Sequence, residues 1–365
     1  MRLSTDNKLV STTLSGENVM GMKSANTRGA GVRKRLLDGC AIGLIALAMA
    51  TTGAWAQDKI KVGLILPSYD QLRWQNGDQP CFEAEAKKLG MEFVTVASQM
   101  SETVQASQVE NMLTQGVNVL VLRPVNAAAS QALVLQANRA HVPVVAYDSL
   151  PMNADVAAFV ARDAIAMAVE IAKAAVAAHP KGNYILALGD EGTNVAQEER
   201  TGYYQVLKPY IDKGDIKVVS EQYNKNWSTE SARSQVENAL TKQNNDVVAV
   251  LSGNDGTAYG AIQALQGQGL AGKVWVNGVD AEPRAQELIA QGQLSLSNFT
   301  DYCQSGQEAA QIALKLAKGE PLGLTATFNN GLKDVPWFQV DHLNASKDNL
   351  GELSKRLPWW FKKPA

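Results

Sequence analysis

Val247-Val-Ala-Val-Leu-Ser-Gly-Asn-Asp-Gly-Thr-Ala-Tyr-Gly-Ala-Ile-Gln-Ala-Leu265 carries the pattern that decides the fold. Its first five residues are apolar without alternation, as in a strand buried on both faces. From Ala261 the apolar spacing turns helical. Asn254 and Asp255 therefore stand at the carboxyl end of a strand, where a helix begins and where open α/β sheets lodge their ligands. Asp255 reads as the helix cap, accepting from free amide hydrogens. Asn254, whose neutral amide both donates and accepts, suits a polar, uncharged ligand.

The same unit recurs in both directions. Strands are expected at Ile60–Leu66, Glu92–Val96, Val119–Leu122, Val142–Ala146, Phe159–Ala161, Tyr184–Leu188, Lys217–Val219 and Val274–Val276. Most precede a helical stripe, such as Thr103–Leu113, Ala164–Ala178 or Thr229–Leu240. Alternating β and α elements with buried strands give a doubly wound α/β architecture with parallel sheets. The units are too many for one compact sheet. Pro151 to Asp155 interrupt them after Tyr147-Asp148-Ser149, so two similar lobes are expected.

The 365 residues are 45% hydrophobic and 19% charged with a net charge of -2, which gives nucleic acid no basic surface to bind. The N-terminus stands apart. Arg33-Lys-Arg35 precedes the apolar run Cys40–Ala50, and Ala54-Trp-Ala56 follows. A positive flank, a short apolar core and an Ala-x-Ala site make residues 1–56 a secretory signal with an N-terminal extension, cleaved after Ala56. Cleavage removes Cys40 and leaves Cys81 and Cys303, an even pair in an oxidising compartment. Two free thiols and one disulfide both remain open on count alone.

Catalytic signatures are missing. His141, His179 and His342 form no zinc or triad pattern. The one GxGxxG, at Gly267, Gly269 and Gly272, precedes a strand instead of following one, which is the wrong context for a pyrophosphate. No enzyme, cofactor or metal is expected. What recurs at strand ends is polar and aromatic: Arg73 and Trp74 after the first strand, then Asp148, Asn194, Trp227, Asn254 and Asp280. Aromatic faces stack on the C–H face of a sugar, while carboxylates and amides engage its vicinal hydroxyls.

Several segments make this specific. Arg73-Trp-Gln75, Gln108-Val-Glu-Asn-Met112, Ala146-Tyr-Asp148, Val206-Leu-Lys-Pro-Tyr210, Gly260–Leu265 and Asn329-Asn-Gly-Leu-Lys-Asp-Val-Pro336 occur in order across the mature chain. With these segments the chain resembles the periplasmic sugar-binding proteins of ABC importers, of the ribose/xylose type and closest to the D-xylose binders. The resemblance implies a type I periplasmic binding protein, two lobes joined by a hinge that the chain crosses three times. Lobe 1 would hold 57–149 plus 300–328, lobe 2 would hold 150–299 plus 329–342, and 343–365 would be a C-terminal tail. Both cysteines then fall in lobe 1, consistent with a bridge.

It further implies that Arg73, Trp74, Asp148, Asn194, Trp227, Asn254 and Asp280 contact the ligand, with Trp74 and Trp227 stacking on its faces. Two departures stand out: Ser149 and Thr300 occupy places where related proteins carry Arg and Lys, and Asp301 adds a carboxylate. A site with fewer donors would favour a polyol or amino sugar over xylose. The implied role is a monomeric periplasmic receptor that passes a small monosaccharide or polyol, a xylose-like pentose foremost, to an ABC permease. It would meet the membrane only through that permease. The alternative role is a sensor that presents its sugar to a chemoreceptor or histidine-kinase ectodomain.

Overall fold

The computed structural model describes residues 59–362, so the expected signal 1–56 and its cleavage site lie outside the described residues. Two mainly parallel sheets form, each the centre of one lobe and each with one antiparallel pair at an edge. The first holds β1 (Lys61–Leu66), β2 (Glu92–Ala97), β3 (Val119–Leu122), β4 (Val144–Tyr147), β5 (Ala158–Ala161), β11 (Ala326–Asn329) and β12 (Asp334–Gln339), in the order β11-β12-β5-β4-β3-β1-β2. The second holds β6 (Gly182–Leu188), β7 (Ile216–Tyr223), β8 (Ala249–Ser252), β9 (Trp275–Val279), β10 (Leu296–Thr300) and β13 (His342–Ser346), in the order β13-β10-β9-β8-β6-β7.

Strands β3, β4, β5, β8, β9 and β10 are buried along their whole length, as the unbroken apolar or small residues of β3, β4, β5 and β8 require, while β9 and β10 also bury Asn277 and Asn298. Helices cover both faces. In the first lobe, α1 (Gln79–Lys88) lies against α9 (Tyr302–Lys318), and α2 (Glu102–Thr114) lies beside α3 (Gln131–Arg139). In the second, α4 (Ala164–Ala178) packs on α5 (Asn194–Asp212), and α6 (Thr229–Lys242) on α7 (Asp255–Gly267). Both sheets reverse their strand order beside their first strand, at β1/β3 and at β6/β8. The loops leaving those four strands therefore open onto a crevice in each lobe.

Sheet membership moves the expected lobe boundary. Residues 158–161 pair with β4 as β5, and β12 pairs beyond them through Trp337 to Gln339. The break at Pro151 to Asp155 is a loop inside the first lobe, and the chain first crosses at Arg162 and Asp163, before α4. It returns at Asp301, between β10 and α9, and crosses finally at Val340 and Asp341. Residues 329–342 are thus mainly a first-lobe hairpin. Asn330 shapes its turn, accepting from Leu332 N and Lys333 N at 3.1 Å each, and donates to Pro151 O and Ala154 O. The tail beyond 342 belongs to the second lobe: β13 pairs antiparallel with β10, α10 (Leu350–Arg356) follows, and Trp360 and Phe361 are buried in that core.

Cys81 of α1 and Cys303 of α9 are joined by a disulfide across 222 residues of chain, with their Cα atoms 5.0 Å apart. It ties the first helix of lobe 1 to the helix that re-enters it. A loop of that length limits the unfolded chain strongly, and removing such a bridge costs about 2–5 kcal/mol. The Cys81→Ser/Cys303→Ser variant is expected to melt roughly 3–8 °C lower by calorimetry; an unchanged melting temperature would show that the bridge contributes nothing.

Candidate functional site

The strand ends of the first lobe converge on one carboxylate. Asp148, just past β4, accepts from Arg73 Nη1 at 2.9 Å, Arg123 Nε at 3.2 Å and Arg162 Nη1 at 3.3 Å. Arg73 comes from the loop after β1, Arg123 follows β3 directly and Arg162 follows β5 directly. All four side chains are buried. Burial alone would raise the pKa of Asp148, but the three guanidiniums outweigh it and hold the group well below the usual carboxylate range. Asp78 fixes Arg73 from behind through a two-point contact at 2.9 and 3.1 Å, and Tyr147 donates to Asp78 at 2.6 Å.

The second lobe supplies the opposite wall. Asp280, past β9, lies 3.7 Å from Arg73 Nη1 and accepts from Tyr302 OH at 2.9 Å. Burial raises its pKa to about 6, with Arg73 and Arg162 opposing. Trp227 ends a 3-10 turn after β7 and lies on Gly189, where a Cβ would come within 2.1 Å of the ring. Only glycine leaves that space. Trp74 starts a π-helical turn, a form often found at functional sites, with the Arg73 guanidinium 3.9 Å from its ring centroid.

Arg73, Trp74, Arg123, Asp148, Arg162, Trp227, Asn254 and Asp280 all line one inner cavity of about 20 Å³ between the lobes. It shares Gln71, Trp74, Arg123, Trp227 and Asn254 with a wider cleft of about 630 Å³ that leads outward. The backbone is strained where the site is made: Asp148, Trp227 and Asp280 have φ of 59°, 57° and 107°. Such conformations cost about 1–3 kcal/mol each and persist only where the surroundings impose them. Among the described residues no group of three or more His, Cys, Asp or Glu is placed to hold a metal ion.

Four expectations change. The helix cap of α7 is Asn254, whose Oδ1 accepts from Thr257 N at 2.9 Å in a reciprocal capping box. Its Nδ2 has no partner among the described residues and borders the cavity. Asp255 is instead an internal acid that accepts from Ser297 Oγ and Glu282 N. Asn194 does not line the inner cavity. It joins the lobes on their flank, its Oδ1 accepting from Ser149 Oγ at 2.5 Å and Leu150 N at 2.7 Å.

Asp301 lies at the second crossing, where it caps α9 by accepting from Gln304 N at 3.0 Å, outside the cavity lining. Finally, the site is not short of cationic donors. Arg73, Arg123 and Arg162 all line the cavity, although neither Ser149 nor Thr300 does. Arg123 and Arg162 could have been found by the strand-end rule, each being the first residue after an expected strand.

Glu282 completes the contact between lobes: its Oε1 accepts from Leu72 N at 2.7 Å, and Tyr259 OH donates to Oε2 at 3.4 Å. Burial raises its pKa to about 7, with Asp280 adding to the effect. A carboxyl raised in the folded state is cost-free below its unfolded pKa and destabilises as pH rises through the folded one. Stability is therefore lost between about pH 4.5 and 7, on the order of 3 kcal/mol at most from this group. Glu282→Gln is expected to flatten the fall of melting temperature between pH 5 and 8; a slope identical to that of the native chain would rule out this source.

Comparison with known proteins agrees with this architecture. Residues 62–321 match the family described as periplasmic binding protein domain. A D-xylose-binding periplasmic protein of Escherichia coli (strain K12) is 37% identical over 305 residues, covering 84% of this chain and 92% of that protein. One from Haemophilus influenzae is 37% identical over 307 residues, with the same coverage of 84% and 92%. Among solved structures, an ABC transporter solute-binding protein from Clostridium phytofermentans with bound β-D-glucose superposes with a TM-score of 0.76. That protein is 26% identical, and the match covers 83% of this chain and 98% of its own.

Proposed function

The chain belongs to the periplasmic binding protein family, and we propose that it captures a monosaccharide, a pentose of the D-xylose type foremost, and delivers it to an ABC permease. One observation carries the reading: Trp74 and Trp227, from opposite lobes, line the same buried cavity as Asp148, Asp280 and three arginines. Two indole faces suit the apolar faces of a pyranose ring, and paired charged groups suit its hydroxyls. The similarity to D-xylose-binding proteins supports the choice of pentose.

Binding here is an exchange of partners. The arginines fan onto Asp148 inside a cavity with room for about one water. A sugar entering from the outer cleft takes hydroxyl contacts with the carboxylate and the guanidiniums, which must spread to admit it. Closure around the ring then removes water and strengthens each hydrogen bond. No proton needs to move in this exchange, since Asp148 is ionised throughout the ordinary pH range. The role is reversible capture, with export to the periplasm preceding it.

The test is thermal-shift screening of the mature chain, from Gln57, against pentoses, hexoses, polyols, amino sugars, amino acids and anions. A ligand at 100 times its Kd adds about 2.7 kcal/mol, a rise of roughly 4–5 °C for a chain of this size. D-xylose is expected to give the largest shift, and Trp227→Ala or Asp148→Asn to remove it. A shift with amino acids or anions alone would overturn the sugar reading. Full shifts in both variants would show that the ligand binds elsewhere.

A further inference from the structure

The second-lobe acid of the site is held from the far end of the chain. Asp280 and Ala281 have consecutive positive φ values of 107° and 47°, a conformation that neither residue adopts unaided. Their carbonyl groups meet the tail. Trp360 Nε1 donates to Asp280 O at 3.2 Å and to Ala281 O at 2.8 Å. Gln286 of α8 (Pro283–Ala290) reinforces this, donating to Ala281 O at 2.8 Å and Trp360 O at 3.2 Å and accepting from Lys362 N at 3.1 Å.

Trp360 also reaches the carboxylate's own partner. Its ring meets that of Tyr302 edge to face, with centroids 5.2 Å apart, and Tyr302 OH donates to Asp280 Oδ1. The Arg73 guanidinium lies 4.2 Å from the centroid of the same Tyr302 ring. One buried indole thus touches both the backbone of Asp280 and the phenol that holds its side chain. Trp360 is separated from the cavity by these groups and does not line it.

We propose that the C-terminal segment is part of the binding machinery: Trp360 is a positioning residue that sets Asp280 for the ligand, and Gln286 locks it in place. This inference rests on the sugar-binding reading above. It assigns the aromatic tail a role in affinity, beyond covering the core of the second lobe.

The test is a double-mutant cycle measured by titration calorimetry with D-xylose on the mature chain. Trp360→Phe keeps a ring beside Tyr302 and removes the indole N–H. It is expected to weaken binding at least tenfold while the protein remains folded at the assay temperature, as melting curves will show. Gln286→Leu, which keeps volume and removes the lock, is expected to weaken binding in the same direction, and carries the test if Trp360→Phe unfolds. Combining Trp360→Phe with Asp280→Asn is expected to weaken binding no further than Asp280→Asn alone. Native affinity in both single variants, or fully additive losses in the double variant, would overturn the inference while the native protein still binds. A native protein that binds no sugar would instead overturn the functional reading, and the inference with it.

Discussion

The Asp148 carboxylate is the constraint around which the site is organised. It is buried, and it stays charged only because three guanidiniums surround it. Removing one partner from such a buried ionic group costs about 3–5 kcal/mol, so the arrangement binds its elements to one another. Arg73 reports on the end of β1, Arg123 on β3 and Arg162 on the first crossing between lobes. Any shift of these strand ends or of the crossing would break an ion pair in a dry environment. The cluster therefore ties these strand ends to one another, and in the proposed reading it provides the polar contacts that a sugar would exchange for its own.

The rest of the site is built by imposing backbone conformations that side chains ordinarily avoid. Asp148, Trp227 and Asp280 all have positive φ, and each is held by contacts made elsewhere. Asp148 N donates to Val160 O at 2.8 Å, Trp227 N to Asn224 O at 2.9 Å and Asp280 N to Asn298 O at 2.7 Å. Gly189 admits the Trp227 ring where any Cβ would collide with it. Strain at these points is a consequence of aiming polar and aromatic groups into one small volume.

Much of this was legible in the residues. Unbroken apolar runs such as Val119–Leu122 and Tyr184–Leu188 announce buried parallel strands, and the strand-end rule locates Arg73, Trp74, Asp148, Trp227 and Asp280. The misplaced lobe boundary has a physical origin. Pro151 to Asp155 break the β–α alternation, yet β5 follows them and joins the first sheet, and sheet membership depends on pairing partners far along the chain. Strand β10 escaped notice because Ser297, Asn298 and Thr300 interrupt its apolar residues although it is buried, and β11, β12 and β13 because they are half-exposed and carry no continuous apolar run. The cap of α7 is Asn254 and not Asp255, a distinction the sequence hides because both residue types cap helices well and only the side-chain contacts separate them. Arg123 and Arg162 lay in plain view, but a lone arginine after a strand gains meaning only when its carboxylate partner is placed.

The most direct test of the central claim is a crystal structure of the mature chain with D-xylose. The account requires the ring between Trp74 and Trp227, with at least one hydroxyl on Asp148 and the Arg73, Arg123 and Arg162 guanidiniums parted to admit it. Sugar bound outside this cavity, with all three arginines still closed on Asp148, would contradict it.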